Sequence, residues 1–183
     1  MMMMKEAFDI FFEKLNRVYE EEFGTKPMIP YSEKWNRDLL VSEPDDEGYV
    51  EWEPKLQTDD IDWAYIEREL GFSLCEELKE FYSTYSFADL DGRYNKMFIN
   101  FDGINIKKGV EVMVRDAYEI GKDDFPNSEV FAIGDAQIRD DDGYTLYFDN
   151  KDGRLFAREF DTNKTVEVSN SITEVIANME ALI

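Results

Sequence analysis

From Lys5 to Phe23 apolar side chains return every three or four residues. Phe8, Phe11, Phe12, Leu15, Val18, Tyr19 and Phe23 share one stripe, and Glu13, Lys14, Arg17 and Glu20 to Glu22 lie opposite. This spacing predicts an amphipathic helix with its aromatic face on the core. Gly24 ends it and Pro27 prevents its continuation. A second stretch, Leu74 to Phe101, organises the middle of the chain. Leu74, Leu78, Phe81, Tyr82 and Tyr85 recur at helical spacing, and Ser73 with Glu76 reads as a capping box at the start. Asp89, Asp91 and Gly92 then read as a turn. Beyond it Met97, Ile99 and Phe101 alternate with Asn100 and Asp102, as a half-buried strand does.

The remaining segments fit around these two. Residues 28–42 read as irregular, anchored by Trp35, Leu39 and Leu40. Tyr49 to Glu53 alternates as a strand, and Pro54 places it at an edge. A short helix carrying Trp63, Ile66 and Leu70 is capped by Asp59, Asp60 and Asp62, and Gly71 leads into the second stretch as a helix–loop–helix. Ile104 and Ile106 are expected to continue the sheet. Val110 to Tyr118 reads as a helix that stops at Gly121, followed by a strand at Val130, Phe131 and Ile133. Strands at Tyr144–Phe148, Arg154–Phe160 and Thr165–Val168 form an antiparallel meander. Ser171 with Glu174 caps a last helix whose inner stripe runs Ile172, Val175, Ile176, Met179, Leu182. The pattern predicts one α+β domain over residues 1–183. Its sheet is mostly antiparallel, with about five to six strands, and N-terminal, helix–loop–helix and C-terminal helices pack on it.

Composition narrows the function. Forty-two acidic residues against 20 basic ones give a formal charge of −22. Such a chain repels nucleic-acid phosphate and anionic lipid, so neither nucleic-acid binding nor direct lipid insertion is expected. A basic protein surface is the complementary partner, although the charge also serves solubility. With no histidine, the usual general base, the histidine-dependent nucleophile systems and histidine zinc motifs are excluded. The lone Cys75, placed within the helix, cannot form an internal disulfide and suits a reducing cytoplasm as a packed residue. The opening methionines are too short for a signal peptide.

The acidic residues near glycines do not fit a calcium loop, which needs oxygen ligands at set spacings and Glu at the twelfth position. Counting from Gly48 puts Pro54 at that position, and the other glycines put Phe87, Ile138 or Phe148 first. A non-motif cation site among Asp140, Asp141 and Asp142 is the weaker alternative. No phosphate loop, nucleophile elbow or dinucleotide fingerprint is present, so no cofactor is expected. What the residues offer is carboxylates interleaved with aromatics. Tyr85, Phe87, Asp89, Asp91 and Tyr94 follow the organising helix, while Asp135, Asp140, Asp141 and Asp142 precede the meander. Such groups suit arginine- or lysine-rich loops through charge-assisted hydrogen bonds and cation–π contact. They also fit solvated turns.

The order of landmarks resembles the Syd family of the SUKH superfamily. It runs AFDIFFEKLNRVYEEEFGTKP, GYVEWEP, IERELGF and EFYSTYSFADLDGRY, then EVFAIGD, GYTLYFDNKDGRLFAREF and a final amphipathic helix. The resemblance implies a compact α+β domain without enzymatic activity. It also implies an acidic concave surface that meets basic cytosolic loops of the SecY translocation channel, at the inner face of the membrane through that partner. SUKH relatives that neutralise toxins supply an immunity alternative, and a carboxylate-based hydrolase is a remote one. The matching segment carries Asp89, Asp91 and Tyr94 as binding residues, while Asp140 to Asp142 are added on electrostatic grounds and Tyr85 by its place in the cluster.

Overall fold

The computed structural model describes residues 1–105, 109–139 and 142–183. Helix α1 (Met4–Phe23) forms as its stripe predicts, burying Phe8, Phe11, Phe12 and Leu15, and ends at Gly24, whose φ of 68° is the left-handed cap. Two short strands follow within the region read as irregular and its neighbour. Strand β1 (Met28–Pro30) pairs antiparallel with β2 (Tyr49–Glu51). Strand β3 (Lys55–Leu56) precedes α2 (Trp63–Leu70), which Asp62 caps and Gly71 ends.

Helix α3 (Glu76–Thr84) is the predicted organising helix, with a different cap. Its N-cap is Cys75, and no side chain of its own turn closes it, so the Ser73–Glu76 capping box does not form. The N–H of Cys75 instead donates to Oδ1 of Asn150, 75 positions along the chain, at 2.7 Å. Asn150 also donates to the Ser73 carbonyl and to Glu129. The capping oxygen therefore comes from tertiary structure. Cys75 stands at the helix entrance, half-buried, and burial pushes its thiol pKa up.

The acidic stretch after α3 is extended rather than turned. Tyr85 leaves the helix for β4 (Tyr85–Ser86), which pairs with β3, and β5 spans Leu90–Tyr94. The turn comes four residues later than Asp91, at Asn95 and Lys96, with φ of 55° and 89° between the paired Tyr94 and Met97. Two left-handed residues in a two-residue loop make a type I′ hairpin into β6 (Met97–Phe101). Ile104 is buried but outside the sheet, and Ile106 lies outside the described residues.

Helix α4 (Val110–Asp124) runs past Gly121 instead of stopping there. Gly121 is required by proximity: a Cβ would overlap the carbonyl of Val130 in β7 (Val130–Gln137). Strands β8 (Tyr144–Asp149), β9 (Leu155–Glu159) and β10 (Thr165–Ser169) complete the predicted meander. Helix α5 (Ile172–Asn178) is shorter than its apolar stripe suggested. The chain turns at Met179 and adds β11 (Glu180–Ala181) beside β5.

The fold is α+β, with a sheet of seven strands in the order β10-β9-β8-β7-β6-β5-β11, all antiparallel and somewhat larger than the sequence pattern indicated. Its main core joins Phe8 and Phe12 of α1, Phe81 of α3, Val114 of α4 and Val175 of α5 to Ile99, Phe101, Phe131, Leu146 and Phe148 of the sheet. Burying such side chains contributes roughly 1.5–3 kcal/mol each before entropy is counted. One oxygen of Glu77 accepts from Ser171 Oγ, Thr173 Oγ1 and Thr173 N–H, which ties α3 to the start of α5. Lys14 of α1 donates to the carbonyls of Ala177 and Met179 at its other end.

Candidate functional site

Strand alternation builds the site. In β5 the side of Leu90, Gly92 and Tyr94 is buried, which turns Asp91 and Arg93 outward. Gly92 is needed because Met179 and the Glu180 carbonyl approach it too closely for a larger residue. In β6 Ile99 and Phe101 are buried while Phe98 is exposed. Register carries this pattern across the sheet. Asp91 stands opposite Asn100, Asn100 opposite Asp135, Asp135 opposite Thr145, and Thr145 opposite Arg158. The result is one polar row over five strands. Asn100 Nδ2 donates to Asp91 Oδ1 at 2.8 Å, which orients that carboxylate. At the far end Arg158 is paired with Asp124 at 2.5 Å.

The acidic end of this row opens into a cavity of about 700 Å³. Asp89, Asp91, Asp135 and Asp142 all line it, with Tyr19 from α1, Phe98 from β6 and Phe160 just after β9. Strand β1 supplies part of its wall. Tyr19 is held there by donating to the Met28 carbonyl, and burial raises its pKa, with Asp89 and Asp91 adding to the effect. Burial also pushes Asp89 up to about 6, and the neighbouring Asp91 adds to the shift. The cavity wall partly desolvates Asp135 and moves it in the same direction. Among the described residues no lysine or arginine lines the cavity. None forms an ion pair with these four carboxylates either. The arrangement holds uncompensated negative charge beside aromatic surface, an environment that favours a cation.

The structure brings together four of the residues singled out from sequence, Asp89, Asp91, Asp135 and Asp142. Asp142 does so while its Oδ1 accepts from the N–H groups of Ile138 and Arg139, closing the loop before β8. Asp140 and Asp141, and with them most of the cation site weighed above, lie outside the described residues. Tyr85 and Tyr94 are placed elsewhere. The Tyr85 hydroxyl donates to Asp9 at 2.6 Å, and its ring meets Phe8 and Phe12 edge-on. Tyr94 is buried and donates to Glu174, beside α5. Asp135 belongs to β7 rather than to a loop.

Phe98, Phe160 and Tyr19 are among the cavity residues not singled out as binding candidates. Phe98 carried a usable signal, because it occupies a polar phase of the β6 alternation. Phe160, at the end of its strand pattern, and Tyr19, on an apolar stripe, carried none. Among the described residues no group of three or more histidine, cysteine or acidic side chains could hold a metal ion.

Comparison with known proteins bears on this site. The family model of the Syd protein (SUKH-2) matches residues 5–102, over half of the chain and a span that includes Tyr19, Asp89, Asp91 and Phe98. The model of the SMI1 / KNR4 family (SUKH-1) matches residues 57–178. Curated relatives include the protein Syd of Shewanella pealeana and that of Shewanella halifaxensis. Each is 29% identical over 84 residues, a match covering 46% of this chain and 39% of the relative. The chain thus spans about two fifths of the length of the curated relatives it matches. By these matches the chain belongs to the Syd protein (SUKH-2) family, and its sheet-bearing part shares the SUKH-1 pattern as well.

Proposed function

We propose that this protein is a non-enzymatic binding protein whose acidic cavity receives a basic loop of a partner protein, the basic cytosolic loops of SecY being the Syd-type partner. One observation carries the reading. Four carboxylates from three parts of the chain converge on a single cavity with no cation among its described lining residues. Holding these charges together disfavours folding, and a cationic ligand would offset the penalty. The net charge of −22 adds long-range steering toward a basic surface. Among the described residues no helix is long and apolar enough to cross a membrane, so membrane association would run through the partner. The single-domain organisation over residues 1–183 is part of this proposal.

The test is binding to SecY complexes in liposomes. At about 50 mM salt the chain should bind, and at about 300 mM affinity should fall by about tenfold or more, as screening shortens the reach of the acidic face. Asp91→Asn and Asp135→Asn should each weaken binding several-fold. Binding that persists unchanged in the double variant would remove the cavity from the interface, and absence of binding at low salt would remove SecY as the partner.

The SUKH-1 match over residues 57–178 supports a second reading, a toxin-neutralising immunity protein with a basic toxin in the same cavity. Protection of cells from a toxin encoded beside this chain, abolished by the same two substitutions, would select it.

A further inference from the structure

The mouth of the cavity carries aromatic rings that the core does not use. Phe98 is 37% exposed and Phe160 61% exposed, and both line the same space as Asp91 and Asp135. Phe160 is positioned rather than loose. Its N–H donates to the Gly143 carbonyl at 3.0 Å, and its ring lies so close over Gly143 that a Cβ there would sit 2.6 Å from it. A large apolar ring held in solvent beside carboxylates that have no ion-pair partner among the described residues is a surface prepared for a group that is both flat and positively charged. On the same face the guanidinium of Arg93 already sits 5.0 Å from the Phe98 ring, an intramolecular instance of the contact.

From this we propose that the cavity is an arginine-selective groove. An arginine of the partner stacks its guanidinium on Phe160 or Phe98 and directs its N–H fork to Asp91 and Asp135. The selectivity follows from shape. A guanidinium is planar, weakly hydrated and presents paired donors, so it stacks on a ring and serves two carboxylates at once; an ammonium is a compact, strongly hydrated point charge that gains less from a ring. Charge complementarity alone would accept lysine and arginine equally. The proposal rests on the basic-loop reading above and adds the identity of the anchoring side chain.

Two peptides of equal charge separate the possibilities, one carrying three arginines and the other three lysines at the same positions. Each is titrated at low salt into the isotope-labelled full chain, with NMR shifts read at Asp91 and Asn100. The arginine peptide should bind about fivefold more tightly, the scale of one stacked cation–π contact. Phe160→Leu and Phe98→Leu should bring the two affinities together by weakening the arginine peptide more than the lysine peptide. Equal affinities in the unmodified chain overturn the arginine groove and leave the basic-loop reading standing. No shift with either peptide overturns both.

Discussion

Asn150 accepts the N–H of Cys75 at 2.7 Å and is the link between the β8–β9 turn and the entrance of α3. The same side chain donates to Ser73 and Glu129 and is 7% exposed. Its removal leaves the Cys75 N–H at the helix entrance and the Ser73 carbonyl without their partner. Asn150→Ala should therefore destabilise the fold by about 2–4 kcal/mol, more than an ordinary cap replacement, measured as a fall in the urea midpoint. Asn150→Asp should keep the acceptor and lose both donors, and at pH 7 it should set a charge against Glu129. A loss below about 0.5 kcal/mol for the alanine variant would show that the helix entrance does not depend on this residue.

Asp89 gives the fold a pH dependence of defined sign. Its folded pKa of about 6 lies above the unfolded 3.8. The folded state therefore holds a proton more tightly, and this contribution to stability is fully present below about pH 4 and lost as pH rises through 6. Asp89→Asn keeps the group neutral throughout. At pH 7 the variant should be more stable than the parent by on the order of 2 kcal/mol, and the gap should close towards pH 4. Denaturation at the two pH values checks this, and a variant less stable at pH 7 contradicts it. The same substitution should weaken binding of a basic loop, so stability and affinity should move in opposite directions.

Gly121 reverses the usual helix rule. An alanine inside an exposed helix normally adds about 0.5–1 kcal/mol over glycine. Here its Cβ would overlap the Val130 carbonyl, so α4 and β7 would have to separate. Gly121→Ala should destabilise the protein by about 1–3 kcal/mol, read from thermal or urea unfolding. A stabilised variant would show that the two elements can part without loss.

Tyr85 and Tyr94 should behave as controls for the cavity. Their hydroxyls are engaged by Asp9 and Glu174, outside the lining residues. Tyr85→Phe and Tyr94→Phe should each cost about 0.5–1.5 kcal/mol of stability and leave affinity for a basic loop within about twofold of the parent, by the same local-contact argument. A large loss of affinity in either would move the interface away from the cavity.

Where the sequence was legible, structure depended on local pattern. The α1 stripe, the Asp62 cap, the Gly24 and Gly71 ends and the β8–β10 meander all involve residues within a few positions of one another. The misreadings have distant causes. Leu90–Tyr94 alternates as a strand should, but Gly92 interrupts the signal, and the reason for Gly92 is the approach of Met179 and Glu180 from the far end of the chain. The real turn, Asn95-Lys96, places a lysine at a φ of 89°, where glycine would ordinarily announce it. The capping box at Ser73 lost to Asn150, and β11 is too short to show a period. Of the candidate site, the acidic residues were visible by type alone. Their convergence depended on strand register, and separating Asp91 from Tyr94 required knowing that the segment is extended.

The polar row across the sheet also has a direction. It is negative at Asp91 of β5 and Asp135 of β7, with the neutral Asn100 of β6 between them, and it ends on β9 with Arg158, neutralised by Asp124. A segment lying along it would not experience the two orientations as equivalent. One whose positive charge is concentrated at one end would settle with that end over Asp91 and its neutral end over Thr145 and Arg158. The sheet would then orient its ligand as well as attract it, so that a peptide with its positive charge gathered at one end would bind more tightly than one of the same composition with the charge spread along its length.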